Sequence, residues 1–234
     1  MEKENIPRHV AIVLDGNRRY AKKIGMQPWQ GHSFGAKKVE DLLEWCRDLG
    51  IKDLTLYSFS VDNFKRPERE KKAIFGLFKK NFEKLEKDDR LMKNGIKVMF
   101  IGRLQMFPNG IQEGMQRLME KTKGNGKFKV NFAMAYSGKM EITDSIKRII
   151  QKISNKKINI NDVNEDLIKN NLYLNSEPDI FIRPGGEKRL SDFLIWQSAY
   201  SELFFVDKLW PEFTKEDLVK TIGEFKQRER RFGK

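Results

Sequence analysis

Apolar and polar positions along the chain fall into a repeating β/α rhythm. Val10–Leu14 is a continuous, β-branched-rich run that stops at Asp15-Gly16, which predicts a short buried strand with a helix opening just beyond it. His32–Leu49 places Phe34, Val39, Leu42, Leu43, Trp45, Cys46 and Leu49 at helical spacing and ends at Gly50. Asp53–Phe59, DLTLYSF, alternates and is rich in strand formers. Glu68–Leu91 follows Pro67 as one long helix with Ile74, Phe75, Leu77, Phe78, Phe82 and Leu85 along one side, ordinarily a core stripe. Lys97–Ile101 predicts a third strand, Pro108–Lys121 a helix, Gly124-Asn125-Gly126 a turn and Phe128–Met134 a fourth strand. Glu141–Ser154 predicts a helix, Lys156–Asn161 a polar loop, Glu165–Leu172 a short helix and Asp179–Ile182 a brief strand. Glu202–Phe205, the end of the apolar strand-like run FLIWQSAYSELFF, is another strand, and Lys215–Arg230 closes the chain as a charged helix. Strands alternating with helices imply parallel crossovers, with ligand sites at the carboxyl ends of the strands. The fold class is therefore α/β, one domain over residues 1–234, built on a mostly parallel central sheet flanked by helices.

Composition adds a direction without choosing a partner. The chain is 39% hydrophobic and 34% charged, and 46 Lys and Arg against 33 Asp and Glu leave a formal charge of +13. Such a surplus favours polyanions: nucleic acid, anionic lipid or phosphorylated substrates. The charge is scattered, with no long basic tail, so most of it is a solvated surface. Cys46 is the only cysteine, which excludes an internal disulfide and fits a reducing compartment. No signal-peptide pattern opens the chain. The longest apolar-looking stretch, Phe193–Val206, is shorter than the ~20 residues a span requires and contains Glu202. A cytoplasmic protein is expected, with contact to a membrane surface left open.

Several segments carry candidate chemistry. Past Asp15, the backbone N–H groups of Gly16, Asn17, Arg18 and Arg19 would be unpaired first-turn donors, a ready anion site. A carboxylate beside phosphate repels it unless a divalent cation intervenes, so Asp15 suggests a magnesium-diphosphate site. The plain alternative is an Asp N-cap with exposed arginines. FSVDNFKRP puts Ser60, Asp62, Asn63 and Arg66 at a strand end beside Phe64, a mixture suited to phosphate and an apolar chain, or to a capped turn alone. RPGGEKRLS places Gly185 and Gly186 between Arg183 and Arg189 with Ser191 beyond, predicting a concave nest of glycine N–H groups for a second phosphate; an exposed glycine turn is the alternative. Glu202 is an acid on an apolar strand, a placement that calls for a charge partner or a metal. His32 opens a helix and could donate to phosphate, move protons, or simply cap and pack; His9 carries little signal. Asp88-Asp89 lacks the DDxxD spacing of helical trans-prenyltransferases and is read as solvated helix surface.

Together, His9–Lys23, Gly31-His32, Leu54–Pro67, Ile182 through Pro211 and Arg228–Gly233 resemble the cis-prenyltransferase family, the undecaprenyl diphosphate synthases and their dehydrodolichyl relatives. The matches run almost end to end, in one order and at family spacing. The resemblance implies an Mg²⁺-dependent enzyme that adds isopentenyl diphosphate repeatedly to an allylic diphosphate such as farnesyl or geranylgeranyl diphosphate, making each new double bond cis. It implies a homodimer and, between sheet and helices, an apolar tunnel for the growing chain. Carried over by motif, Asp15 would hold magnesium and the allylic diphosphate, supported by Gly16, Asn17, Arg19 and His32, with Arg18 added. Arg183, Arg189 and Ser191 would bind isopentenyl diphosphate, and Glu202 would contribute to the metal, often from the neighbouring subunit. Ser60, Asn63 and Arg66 would position the homoallylic substrate and assist proton removal; Phe64 takes an aromatic position beside the reacting chain, and Glu70 matches a helix-start acid.

This chain departs from the family pattern in places. Pro28 stands four residues before His32, where a diphosphate-contacting arginine is usual, and Arg18, where bacterial members often carry glycine, is the candidate compensation. Pro184 replaces the usual threonine, and Tyr136-Ser137 departs from the bacterial Asn-Tyr. NRRYAKK, NFKR and the Glu83–Lys97 region look like the dehydrodolichyl branch, whereas the closing RERRFGK resembles the bacterial end with its Arg-Phe-Gly dimer pattern. Two other readings stay open: a noncatalytic partner subunit, which usually lacks the opening aspartate, and a basic nucleic-acid-binding domain. Against the second, the arginines cluster with acids and glycines at strand ends, which favours small phosphates.

Overall fold

A computed structural model describes residues 6–228. Six strands form one sheet in the order β3-β4-β2-β1-β5-β6, every neighbouring pair parallel. The strands are β1 (His9–Val13), β2 (Asp53–Ser60), β3 (Ile96–Ile101), β4 (Phe128–Tyr136), β5 (Ile180–Pro184) and β6 (Glu202–Val206). The helices are α1 (Asn17–Lys23), α2 (Gly31–Asp48), α3 (Glu68–Glu86), α4 (Arg90–Lys93), α5 (Asn109–Thr122), α6 (Gly138–Ser154), α7 (Glu165–Asn170) and α8 (Lys215–Gln227). Single 3-10 turns stand between them, among them Val61–Lys65 and Trp210–Glu212.

β1 is buried along its whole length because helices or loops cover both faces of the sheet, which is why its sequence is continuously apolar instead of alternating. Val10 and Ile12 join the larger core with Leu42 and Cys46 of α2, Ile74 of α3, Met115 of α5 and Phe225 of α8. Ala11 and Val13 face the smaller core with Tyr136, Phe181, Phe193 and Leu194. Cys46 is fully buried, as helix packing requires, and burial pushes its thiol well above the usual range.

Four departures from the sequence expectations have local causes. The long helix stops at Glu86, because Asp88 accepts from the Arg90 backbone N–H at 2.9 Å and from its guanidinium Nε at 3.0 Å, a side-chain alternative to the helical ladder. Asp88 thus marks the break before α4 and is not solvated helix surface. β2 and β4 run on to pair Ser60 with Tyr136, past a bulge at Phe59. β5 runs on to Pro184, so Arg183 lies within a strand opposite Phe205. FLIWQSAYSELFF is strand only from Glu202; Ser191, Asp192 and Leu194 have φ of 52°, 63° and 47°, which no extended chain accommodates. Among the described residues no helix is long and apolar enough to cross a membrane. Residues 229–230 of the closing helix and the Arg231-Phe232-Gly233 pattern lie outside the described residues.

Glu141 of α6 is fully buried and ties this face together. Tyr136 donates its hydroxyl to it, Gln197 Nε2 donates at 3.1 Å and the Leu174 N–H at 3.0 Å. Burial raises its pKa above the ordinary carboxylate range, the three donors working against that rise. The folded state then holds this proton at pH values where the unfolded chain has released it, so the contribution is complete below the unfolded pKa of about 4.3 and is lost as pH rises through the folded value. Glu141→Gln is expected to flatten the fall in unfolding free energy over that window, read by urea denaturation from pH 4 upward; an unaltered slope would contradict the assignment.

Candidate active site

The chain leaves β1 toward β2 on one side and returns to β5 on the other, which opens a crevice at the carboxyl ends of β1 and β5. Asp15 follows β1 and Arg183 sits in β5, and they meet there: Arg183 Nη2 donates to Asp15 Oδ2 at 2.9 Å. Arg19, one helical turn on, reaches the other oxygen at 3.2 Å and donates to the Gly185 carbonyl at 2.7 Å. Arg183 is only 4% exposed; its Nη1 donates to Ser191 Oγ and to the Arg189 carbonyl, both at 2.5 Å, while its buried Nε has no protein partner. Asp15 is not an N-cap. Gly16, at φ 108°, caps α1, and neither a side-chain cap nor a first-turn acid is present there.

Backbone packing fixes this corner. Trp210 donates its N–H to the Asp15 carbonyl at 2.8 Å and its ring N–H to the Gly35 carbonyl at 3.0 Å. A Cβ on Gly35 would stand 2.1 Å from Asn17 Oδ1, and one on Gly31 would stand 1.9 Å from the Asn17 carbonyl. The second glycine segment works differently from the nest predicted for it. Gly185 and Gly186 N–H groups donate to the Lys208 and Val206 carbonyls at 2.8 and 3.0 Å, so they are committed to backbone pairing beyond β6. Their need for glycine is conformational, at φ of 100° and 74°, and a Cβ on Gly185 would also stand 2.6 Å from Arg19 Nη2.

A second charged cluster surrounds Glu70, which is 3% exposed at the start of α3. His32 Nε2 stands 3.2 Å from its Oε1, Arg66 Nη1 donates to the same oxygen at 3.0 Å, and Arg18 Nε lies 3.7 Å away. Arg66 Nη1 is also 3.2 Å from His32 Nε2, a nitrogen that can donate to Glu70 or accept from Arg66 but not both. Burial is the largest cause lowering the His32 pKa; Glu70 pulls it up, while Arg66 and Arg18 push it down. Ser60 and Asn63 cap the Val61–Lys65 turn reciprocally, each backbone N–H donating to the other's side chain at 3.2 Å. The capped-turn alternative therefore holds, yet both residues also face the cavity described next.

One cavity of about 820 Å³ touches both clusters. Its mouth is lined by Asp15, Gly16, Asn17, Arg18, Arg19, His32, Ser60, Asn63, Arg66, Arg183, Arg189 and Ser191, and its wall by Val39, Leu43, Ile74, Leu77, Phe78, Phe82, Leu85, Phe100, Phe132 and Met134. Among these, Arg189 is exposed and paired with Glu187 at 2.5 Å. Two expected members stand elsewhere. Phe64 packs behind the wall against Phe59, Phe75 and Phe107, with centroids 5.0, 6.1 and 5.2 Å away, and does not line the cavity. Glu202 opens β6 level with Ile180 and hence Val10, roughly 16 Å below Asp15 at the strand rise, and its carboxylate accepts from Arg228 at 2.5 Å. It finds a charge partner at the amino end of the sheet and shares no site with Asp15 within one chain.

Sequence reading undervalued Glu70 and passed over Tyr57 and Asp192, which also line the cavity. Asp192 accepts from Ser137 Oγ at 2.5 Å and from the Lys139 N–H at 2.9 Å, closing the start of α6. Glu70's spacing of four from Arg66 on a helix-leading segment was the available signal. Since Glu70 raises the His32 pKa against burial and two arginines, Glu70→Gln is expected to move the His32 titration, read by imidazole NMR shifts, further below its native position. An upward or absent shift would show that Glu70 does not set its charge.

The family model for undecaprenyl diphosphate synthases matches residues 13–233. The chain is 46% identical, over 98% of its length and 88% of the relative's, to a tritrans,polycis-undecaprenyl-diphosphate synthase (geranylgeranyl-diphosphate specific) of Thermococcus kodakarensis. It is 42% identical to an isoprenyl transferase of Thermus thermophilus, covering 98% of this chain and 89% of that one. Its structure superposes on lavandulyl diphosphate synthase from Lavandula x intermedia, solved with dimethylallyl diphosphate, at a TM-score of 0.93 and 28% identity, covering 98% and 99% of the two chains. Motifs, six-stranded parallel sheet and end-to-end similarity agree: the chain belongs to the undecaprenyl diphosphate synthase family of prenyltransferases.

Proposed function

We propose that this protein is a cis-prenyltransferase that condenses isopentenyl diphosphate repeatedly onto an allylic primer, farnesyl or geranylgeranyl diphosphate, to give a cis-polyprenyl diphosphate of undecaprenyl or dolichyl type. The observation that carries the reading is the single cavity in which Asp15 and Arg183 share a polar mouth and an apolar wall leads away from it. A diphosphate bearing an apolar tail complements both halves. A nucleic acid backbone complements only the mouth.

Asp15 also fits magnesium of one kind. Among the described residues no three His, Cys, Asp or Glu side chains come together to hold a metal unaided. Mg²⁺ characteristically uses one or two carboxylates plus substrate phosphates, and Asp15 presents one carboxylate to the cavity, held between two guanidiniums. Bound there with substrate, the ion would stabilise the charge of the departing diphosphate. Diphosphate oxygens would compete with Asp15 for Arg19 and Arg183, the two guanidiniums that now hold it. Asp15, Gly16, Asn17, Arg18, Arg19 and His32 hold the allylic diphosphate in this reading, and Arg183, Arg189 and Ser191 hold isopentenyl diphosphate. Each charge-assisted guanidinium–phosphate bond contributes about 1.5–3 kcal/mol.

Condensation breaks the allylic C–O bond, forms a C–C bond to the isopentenyl alkene and releases a proton. The arginines and His32 oppose the charge that develops on the leaving group. Burial keeps His32 mainly neutral near pH 7, able to donate one hydrogen bond without a full charge. Ser60, Asn63 and Arg66 position the homoallylic substrate for proton loss. Glu202 enters a metal site only from a second copy of the chain, so a homodimer is part of the proposal. Exposed Ile146 and Ile150 of α6 and Leu203 of β6 support such a self-contact.

Purified chain incubated alone with Mg²⁺, labelled isopentenyl diphosphate and a series of allylic primers is expected to yield extractable polyprenyl products, their length read by chromatography. Inactivity alone, with activity restored by a second subunit, would instead identify a noncatalytic partner. Asp15→Asn keeps an acceptor for Arg183 and is expected to retain the fold while lowering turnover at least about 100-fold; near-native turnover would remove Asp15 from its assigned role. Arg18 lines the cavity where Pro28 leaves the family without its usual arginine, so Arg18→Gly is expected to raise the primer KM about tenfold, a loss near 1.4 kcal/mol. An unchanged KM would mean that Arg18 does not compensate.

A further inference from the structure

Away from the mouth, the cavity wall ends on charge. Glu40 of α2 and Lys84 of α3 both line it, and Lys84 Nζ donates to both Glu40 carboxylate oxygens at 2.7 Å. Their side chains are 39% and 55% exposed, so the pair stands where the cavity reaches the surface in the seam between the two helices. Glu40 lies eight residues beyond His32 and Lys84 fourteen beyond Glu70, which places the pair roughly 12–21 Å along the helices from the mouth. The apolar neighbours that line this end, Leu43, Leu77 and Leu85, are only half-buried. Interdigitated apolar side chains would seal such a seam permanently, whereas an exposed ion pair contributes little stability and parts readily.

Length gives the seam a use. An extended tail of eleven isoprene units, each four chain atoms long, is longer than the roughly 12–21 Å that separates the mouth from this pair. The tail of a long product must therefore leave the domain while its diphosphate stays at the mouth. We infer that the Glu40–Lys84 pair is a gate: the growing tail emerges between α2 and α3 by parting it, and the gate's resistance helps to set product length. The inference rests on the polyprenyl synthase reading and goes beyond it by naming the exit and the side chains that close it.

Cys46, the only cysteine, is fully buried with its thiol pushed up by burial, so introduced surface thiols can be modified selectively. The double variant Glu40→Cys/Lys84→Cys, bridged by a reductant-cleavable bis-methanethiosulfonate, is compared with the unbridged variant and the native chain, using Mg²⁺, geranylgeranyl diphosphate and labelled isopentenyl diphosphate. Bridging is expected to shorten the products by two or more isoprene units while leaving the first condensation rate unchanged, and reductant is expected to restore full length. Lys84→Ala is expected to lengthen the distribution, and the charge-reversed pair Glu40→Lys/Lys84→Glu to return it to native. A native length distribution from the bridged enzyme overturns the gate and leaves the synthase reading standing. A native chain that makes no polyprenyl product overturns both.

Discussion

Arg183 is a guanidinium within a buried strand, and the fold can hold it there only by surrounding it with acceptors. Asp15, just past β1, supplies one, and Ser191 and the Arg189 carbonyl, in the loop after β5, supply two more. Strand register makes the meeting possible. Ile12 pairs with Ile182, so Arg183 stands one step past that pair and Asp15 three, at the same end of adjacent strands. A slip of one residue would turn Arg183 to the opposite face and leave it without Asp15. The chain's carboxylate and its most buried cation are thus placed by the packing of Ala11, Ile12, Phe181 and Ile182, none of which is exposed.

That dependence explains why the two candidate segments read from sequence meet at the mouth of one cavity. Asp15 and Arg183 are in direct contact, and Arg19 bridges onward to the Gly185 carbonyl. Asp15 offsets one of the two guanidinium charges it touches, which leaves the corner net positive. Breaking a buried pair by removing one partner is costly, so an anion that displaced Asp15 would keep Arg183 paired while leaving the carboxylate in need of a cation. Glu70 plays a matching part, holding Arg66 and His32 close together through one carboxylate oxygen.

The fold was largely legible because both faces of this sheet are covered. Runs such as VAIVL and DLTLYSF must be apolar to be buried, and Gly50 and Pro67 mark helix boundaries by mechanisms that act locally. The errors share a cause. The helix break at Asp88 depends on one side chain's competition for backbone, and the expected glycine nest failed because Val206 and Lys208, some twenty residues away, take the N–H groups. Most residues that line the cavity mouth stood out as candidates in their motifs, whereas the centrality of Glu70 did not, since its partners come from α1, α2 and the segment before α3. Phe64 packs away from the cavity and Glu202 lies at the amino end of its strand, neither of which residue type and spacing state.

Helix α3 resolves the remaining ambiguity, whether its Phe-rich side is core or channel, by being both. Phe75 turns into the aromatic cluster of Phe59, Phe64 and Phe107, while Leu77, Phe78, Phe82 and Leu85 line the cavity. Apolar surface left uncovered at about 25 cal/mol per Å² favours collapse of such a space, so something must hold α2 and α3 apart. The restraints lie at the mouth. Glu70 ties the start of α3 to His32 at the start of α2, and Trp210 pins α2 through the Gly35 carbonyl to the Asp15 turn. Anchored at one end by buried polar contacts and joined farther along by the exposed Glu40–Lys84 pair, the two helices frame a cavity that is rigid where a diphosphate would be gripped and yielding where an apolar chain would have to pass.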